Sequence, residues 1–175
     1  MKNTTNQKTK TFIASKKSLN VVGVSGEYFV AAELSQRGVI ATLTLKNTPR
    51  IDVLATNLQN GSVANIQVKT MSIGNNAGWH LNESDEKPSG IKNHYYVLVN
   101  LQGPGVQPKY IIIPQKQLSV FLQKDYKKWI AGAMKNGNQR KLTSMRIFDP
   151  YRRESPRKFA EKWGQPCSVE NTRNP

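Results

Sequence analysis

Residues 50–70 read RIDVLATNLQNGSVANIQVKT, and the reading of the whole chain turns on them. Two alternating stretches flank Asn60-Gly61, a dipeptide suited to the two positive-φ positions of a type I′ hairpin turn. A two-residue loop puts Gln59 opposite Ser62. The ladder then predicts Ala55 opposite Ile66, Leu54 opposite Gln67, Val53 opposite Val68 and Asp52 opposite Lys69. Because side chains alternate across a strand, Asp52, Gln67 and Lys69 share one face, and Val53, Ala55, Ile66 and Val68 the other. Opposite residues have Cβ atoms about 5 Å apart, so a carboxylate, an amide and an ammonium converge. Taken alone, the Asp52/Lys69 pair reads equally as an ordinary surface salt bridge.

Before the hairpin, residues 22–37 carry a helical pattern that ends at Gly38, a natural C′ residue. The helical wheel puts Val24, Tyr28, Ala31, Leu34 and Ser35 on one arc and Glu27 inside it, with Glu33 on the opposite side. A carboxylate on an inward stripe needs a partner, a hydrogen bond or a metal. The alternative for Glu27 is a role in the first turn, favouring the helix dipole. Residues 39–45 (VIATLTL) predict a strand. The turn 46–50 (KNTPR) follows and sets Lys46 and Arg50 just before Asp52, where they are candidates for phosphate contact.

After the hairpin, residues 72–93 are polar and glycine-rich and give no long helix; a short one near residues 82–87 is compatible with the acids there. HYYVLVNL and YIII predict two more strands, forming a hairpin around a GPG turn. Trp79, His80 and His94 could line a site, but an aromatic or lone histidine beside a strand is more often packing. Residues 115–134 are helical, with Leu118, Phe121, Leu122, Trp129 and Ile130 on the apolar side. Arg146-Ile-Phe-Asp-Pro is a short extended piece, and Ser155-Pro156 opens a last helix closed by Gly164. Arg152, Arg153, Arg157 and Lys158 make this end strongly basic: a second nucleic-acid surface or a solvated helix face.

The 175 residues predict one α/β domain, a mixed, mostly antiparallel sheet flanked by helices, over residues 21–164. Residues 1–20 read as a basic arm and 165–175 as a tail. Lys and Arg number 26 against 11 Asp and Glu, a net charge of +15. Such a surplus points to a polyanionic partner, nucleic acid first, because neutralised phosphates release counterions. No apolar run is long enough for a bilayer and no signal peptide is recognisable, which predicts a soluble cytoplasmic protein with no membrane partner. The lone Cys167 with His80 and His94 makes no Cys/His zinc site, so a bound metal would be held by oxygen.

The succession of a helix with Glu27 (GEYFVAAELSQRG), a strand, RIDVLAT with Asp52 and IQVKT with Gln67-Val68-Lys69 resembles the PD-(D/E)XK nuclease superfamily. This is the restriction-endonuclease-like fold, which includes Holliday-junction resolvases and many restriction enzymes. The resemblance covers residues 22–71 well and the two later strands loosely. It implies a magnesium- or manganese-dependent DNA endonuclease, with Glu27, Asp52, Gln67 and Lys69 as catalytic residues. Asp52 would be the central metal ligand, joined by the Val68 carbonyl and Gln67, and Glu27 would act through a water or hold a second ion. Lys69 would orient or deprotonate the attacking water, or stabilise the pentacovalent transition state.

Three features depart from the usual pattern, one of them that Pro49 stands three residues before Asp52 rather than beside it, at a position that varies widely in the superfamily. Gln67 stands where an acid is common, as in some active members, and removes one negative charge from the metal site. The fold also normally has a helix between its third and fourth core strands, which residues 72–93 do not announce. DNA is the partner implied, and a homodimer is compatible with the same reading. A non-catalytic nucleic-acid-binding module on the same fold and a basic protein-interaction domain are the readings from other classes.

Overall fold

The computed structural model describes residues 19–45, 48–72, 74–75, 77–134 and 137–149. Residues 1–18 of the expected arm, Lys46, the expected last helix with Arg152, Arg153, Arg157 and Lys158, and the tail lie outside them, and residues 19–20 belong to the first helix. Helix α1 (Leu19–Gln36) leads into strands β1 (Val39–Leu43), β2 (Val53–Asn57) and β3 (Val63–Met71). After β4 (Trp79–Asn82) and a 3-10 turn (Glu83–Glu86) come β5 (His94–Asn100), β6 (Lys109–Pro114), α2 (Gln115–Ala131) and β7 (Met145–Phe148). The central sheet has the order β1-β2-β3-β5-β6. Its β3/β5 pair is parallel and its other pairs are antiparallel, the mixed α/β sheet expected from the sequence.

Each face of the sheet has its own core. Val22, Val30 and Leu34 of α1 pack on Val53, Ala55, Ala64, Ile66 and Val68. On the other face Leu118 and Leu122 of α2, with Trp79, Leu81 and Phe148, pack on Met71, Tyr96, Leu98 and Ile113. That second layer includes the small antiparallel sheet β4/β7. Strand β4 and the 3-10 turn occupy the connection where the resemblance implies a helix; the turn falls on the residues that suggested a short one.

The hairpin differs from the expected register by two residues. Val53 pairs with Ile66 and Ala55 with Ala64, and Asp52 lies just outside this ladder with its N–H on Ile66 O, so it is not paired with Lys69. The loop is four residues long, closed by Asn57 N–H to Ser62 O at 2.9 Å. Side-chain turns explain it: Asn57 Oδ1 accepts the Gln59 N–H and Asn60 Oδ1 the Ser62 N–H. Gly61 alone takes a positive φ (68°), and Asn60 is not among the positive-φ residues, so no type I′ turn forms. A slip of two preserves facing, which is why Asp52, Gln67 and Lys69 still share a face.

Helix α1 ends at Gly38 as expected, with φ 76° and backbone bonds from Arg37 and Gly38 to the last turn. Its buried stripe is Val22, Gly26, Val30 and Leu34, rotated from the predicted arc; Tyr28 is 61% exposed. Glu33, expected to face outward, is half-buried, paired with Arg37 at 2.6 Å and bonded by the Gln107 amide. The helix is apolar on nearly every side, so its periodicity does not fix an inward direction.

Candidate functional site

Strand β2 begins at Val53, whereas β3 runs on to Met71. Along residues 69–71, β3 therefore has β5 on one side and no β2 partner on the other. Asp52 occupies the opening. Its N–H donates to Ile66 O at 2.8 Å and its carbonyl accepts the Thr44 N–H at 3.0 Å. Its carboxylate Oδ2 accepts the Val68 N–H at 2.7 Å and a second hydrogen bond from the Gln67 side-chain amide. The Asp52 side chain thus replaces the missing strand partner of Val68. Both side-chain bonds land on Oδ2, and Oδ1 is left to other ligands.

The turn leading into Asp52 is fixed as firmly. The Thr44 hydroxyl donates to Ile51 O at 2.5 Å. Arg50 has φ 64°, a left-handed conformation that costs energy for a side chain with a Cβ. His94 Nε2 lies 3.0 Å from the Arg50 carbonyl and Nδ1 lies 2.8 Å from Ser89 Oγ. A carbonyl accepts only, so Nε2 carries the proton, and Nδ1 accepts from the Ser89 hydroxyl, whose oxygen in turn accepts the Ile91 N–H. Burial lowers the His94 pKa below the ordinary imidazole value, with the nearby Arg50 charge acting the same way; the bond to Arg50 O and the charge of Asp85 oppose it. The ring of His94 also sits 5.4 Å from that of Tyr96. The Tyr96 hydroxyl donates to buried Asp85 at 2.6 Å, and Asp85 also accepts the Asn82 N–H. Burial is the main cause of the strongly raised Tyr96 pKa, with Asp85 adding to it.

Asp52, Gln67 and Lys69 are all half-buried. Desolvation raises the Asp52 pKa above the ordinary carboxylate value, against the opposing effects of the Val68 N–H, the Lys69 charge and the Gln67 amide. The ionised carboxylate is therefore short of solvation, a state that a cation relieves. Val68 points its carbonyl to the same edge as its N–H, since N–H and C=O of one strand residue share a side. Glu27 belongs to α1, which packs on the opposite face of the sheet. It is half-buried and follows Gly26, whose backbone lies against the Thr70 side chain, while Thr70 Oγ1 donates to Gly23 O at 3.3 Å. Arg50 is half-buried beside Asp52 rather than in a free loop.

The structure thus joins Asp52, Gln67 and Val68 directly and sets Lys69 beside them. Among the described residues no cluster of three or more His, Cys, Asp and Glu forms a metal cage. The oxygens at hand are those of Asp52, Gln67 and the Val68 carbonyl, a set that suits a hard cation completing its shell with water and substrate. Sequence reading missed Thr44 and the His94–Arg50 bond. A lone threonine in a strand carries no signal of such a role, and His94 was read as packing. Trp79, also read so, is buried with its indole N–H on Val99 O at 3.0 Å, while His80 is exposed. No helix among the described residues is long and apolar enough to cross a membrane.

No family profile matches the chain, and no curated protein does. Among solved structures, a bacterial homing endonuclease is similar over 85% of this chain and 92% of that chain, with a TM-score of 0.49 and 11% identity. A likeness at this level says nothing about which residues act.

Proposed function

We propose that the protein is a metal-dependent DNA endonuclease of the PD-(D/E)XK type. The observation that carries the reading is the Asp52 carboxylate, half-buried at the open end of β3, bonded to the Val68 N–H and the Gln67 amide and flanked by Lys69. Asp52 Oδ1, the Val68 carbonyl and the Gln67 side-chain oxygen would hold magnesium or manganese, with Glu27 contributing through water or at a second ion. When bound, such an ion polarises the phosphoryl oxygen and lowers the pKa of an attacking water. The backbone and side-chain bonds of Asp52 hold its carboxylate in place, so an ion bound there would be fixed relative to Lys69. Lys69 supplies positive charge where the transition state gains negative charge, or orients the water. The net charge of +15 would draw a polyanionic substrate to the protein.

The test is cleavage of DNA by the purified protein with magnesium or manganese. Asp52→Ala and Lys69→Ala each abolish it while salt-sensitive DNA binding persists; cleavage that survives both substitutions contradicts the mechanism. Gln67 favours a second reading, a nucleic-acid-binding module whose metal site has been lost. That reading predicts binding, no cleavage, and a melting temperature indifferent to divalent ions, because a ligand of the native state raises it.

A further inference from the structure

The positive charge is unevenly spread along the chain. Between Glu86 and Asp149 the sequence holds eleven Lys and Arg and one acid, Asp125. Two of these cations are committed inside the fold. Arg146 is buried, pairs with Glu86 and lies 3.4 Å over the Tyr126 ring, and Arg140 donates to Trp129 O and lies 5.0 Å over the Trp129 ring. The lysines of α2 are placed otherwise. Lys116, Lys124 and Lys127 are exposed, on the side of the helix away from buried Leu118, Ser119 and Leu122. With exposed Val120 between them they form a row about 17 Å long at the usual helical rise. Lys128 is exposed beside the row.

Lys124 with Lys127 and Lys128, at i+3 and i+4, are like charges that weaken an isolated helix, and Lys116 adds positive charge to the first turn, where the dipole disfavours it. An anion lying along this face removes both penalties. The row begins at a cavity that His94 also lines. Lys116 lines one cavity with Lys92, Gln115 and His94, and His94 holds the Arg50 carbonyl two residues before Asp52. Helix α2 covers the face of the sheet whose residues Tyr96 and Leu98 pair with Gln67 and Lys69.

We propose that the outward face of α2, through Lys116, Lys124 and Lys127, binds the sugar–phosphate backbone of the nucleic acid that reaches the Asp52 site. This rests on the reading of the protein as acting on nucleic acid. The flexible lysines act as point charges on phosphates and carry no base specificity.

The test measures equilibrium binding of a labelled DNA duplex by fluorescence anisotropy across a KCl series, with the full chain and EDTA present. Lys124→Gln/Lys127→Gln lowers the slope of log affinity against log salt by about 2 and weakens low-salt binding roughly tenfold or more. Lys116→Gln alone moves both in the same direction by about half on the logarithmic scale. Arg37→Gln/Lys109→Gln removes the same net charge from the end of α1 and the start of β6 and leaves the slope close to wild type. Equal slopes for the two double variants, with unchanged circular dichroism, overturn the surface. A wild type that cleaves DNA while the two doubles behave alike removes the surface and leaves the nuclease. A wild type with an α2-dependent slope and no cleavage under any divalent ion does the reverse. Absence of DNA binding by the wild type overturns both.

Discussion

Gly26 is the point at which α1 approaches β3, and replacing it by alanine probes how tightly that contact is set. An added Cβ would overlap the Thr70 hydroxyl and lie 3.0 Å from both Thr70 Cβ and Cγ2, inside normal van der Waals separation. In an exposed helix Gly→Ala stabilises by about 1 kcal/mol. Here that gain is opposed by overpacking, which costs about 1–3 kcal/mol. Thr70 has no easy retreat, because its hydroxyl is bonded to Gly23 O and it sits beside the buried stripe of α1. We expect Gly26→Ala to lose up to about 2 kcal/mol, a melting temperature lower by several degrees. In a Thr70→Ala background the hydroxyl and Cγ2 contacts are gone and only the 3.0 Å contact with the Cβ remains, so the same change should cost less, a coupling of about 1–2 kcal/mol. Urea denaturation of the four proteins measures the cycle. A stabilising Gly26→Ala in the wild-type background, or a coupling near zero, would refute the reasoning. Glu27 follows directly, so the single variant should also impair any activity that depends on its position.

The other expectations concern the groups around the site. His94→Ala should cost roughly 1–2 kcal/mol by releasing the Arg50 carbonyl and the Ser89 hydroxyl. The native pKa of His94 is lowered, so below about pH 6.5 the unfolded chain binds the proton first and wild-type stability falls until the native pKa is passed. Denaturation midpoints compared between pH 7 and 5 should show that fall in the wild type and a smaller one in the variant; Arg50 and Asp85, the charged groups near the ring, are unchanged in both. Glu86→Gln leaves Arg146 buried without its counter-charge and should cost roughly 3 kcal/mol, read by the same denaturation. A loss under 1 kcal/mol would mean that the Tyr126 ring and the Thr143 and Met145 carbonyls suffice for Arg146.

How far the sequence could be read follows from what each signal encodes. The hairpin's alternation fixed which side chains share a face and was immune to a two-residue slip, so the grouping of Asp52, Gln67 and Lys69 was legible although their pairing was not. That pairing depended on Asn57 and Asn60 side chains bonding to their own loop. Gly38 marked the end of α1, but the stripe it buries was misjudged because its outer side also carries Val21, Tyr28 and Phe29. Strands β4 and β7 are four residues each and pair across more than 60 residues of sequence, a pairing that no local pattern announces. The anchoring of Asp52 by Thr44 and of Arg50 by His94 is likewise tertiary.

The central claim is that the Asp52 carboxylate holds the cation that supports phosphodiester hydrolysis. It is tested most directly by the rate of plasmid nicking as a function of manganese concentration, for wild type and Asp52→Asn, with DNA binding measured in parallel. Asp52→Asn is nearly isosteric, and its amide oxygen can still accept the Val68 N–H. The account predicts a saturable, manganese-dependent rate for the wild type and a loss of about a hundredfold or more in the variant, with binding retained. Equal rates and equal metal dependence in the two proteins would contradict it.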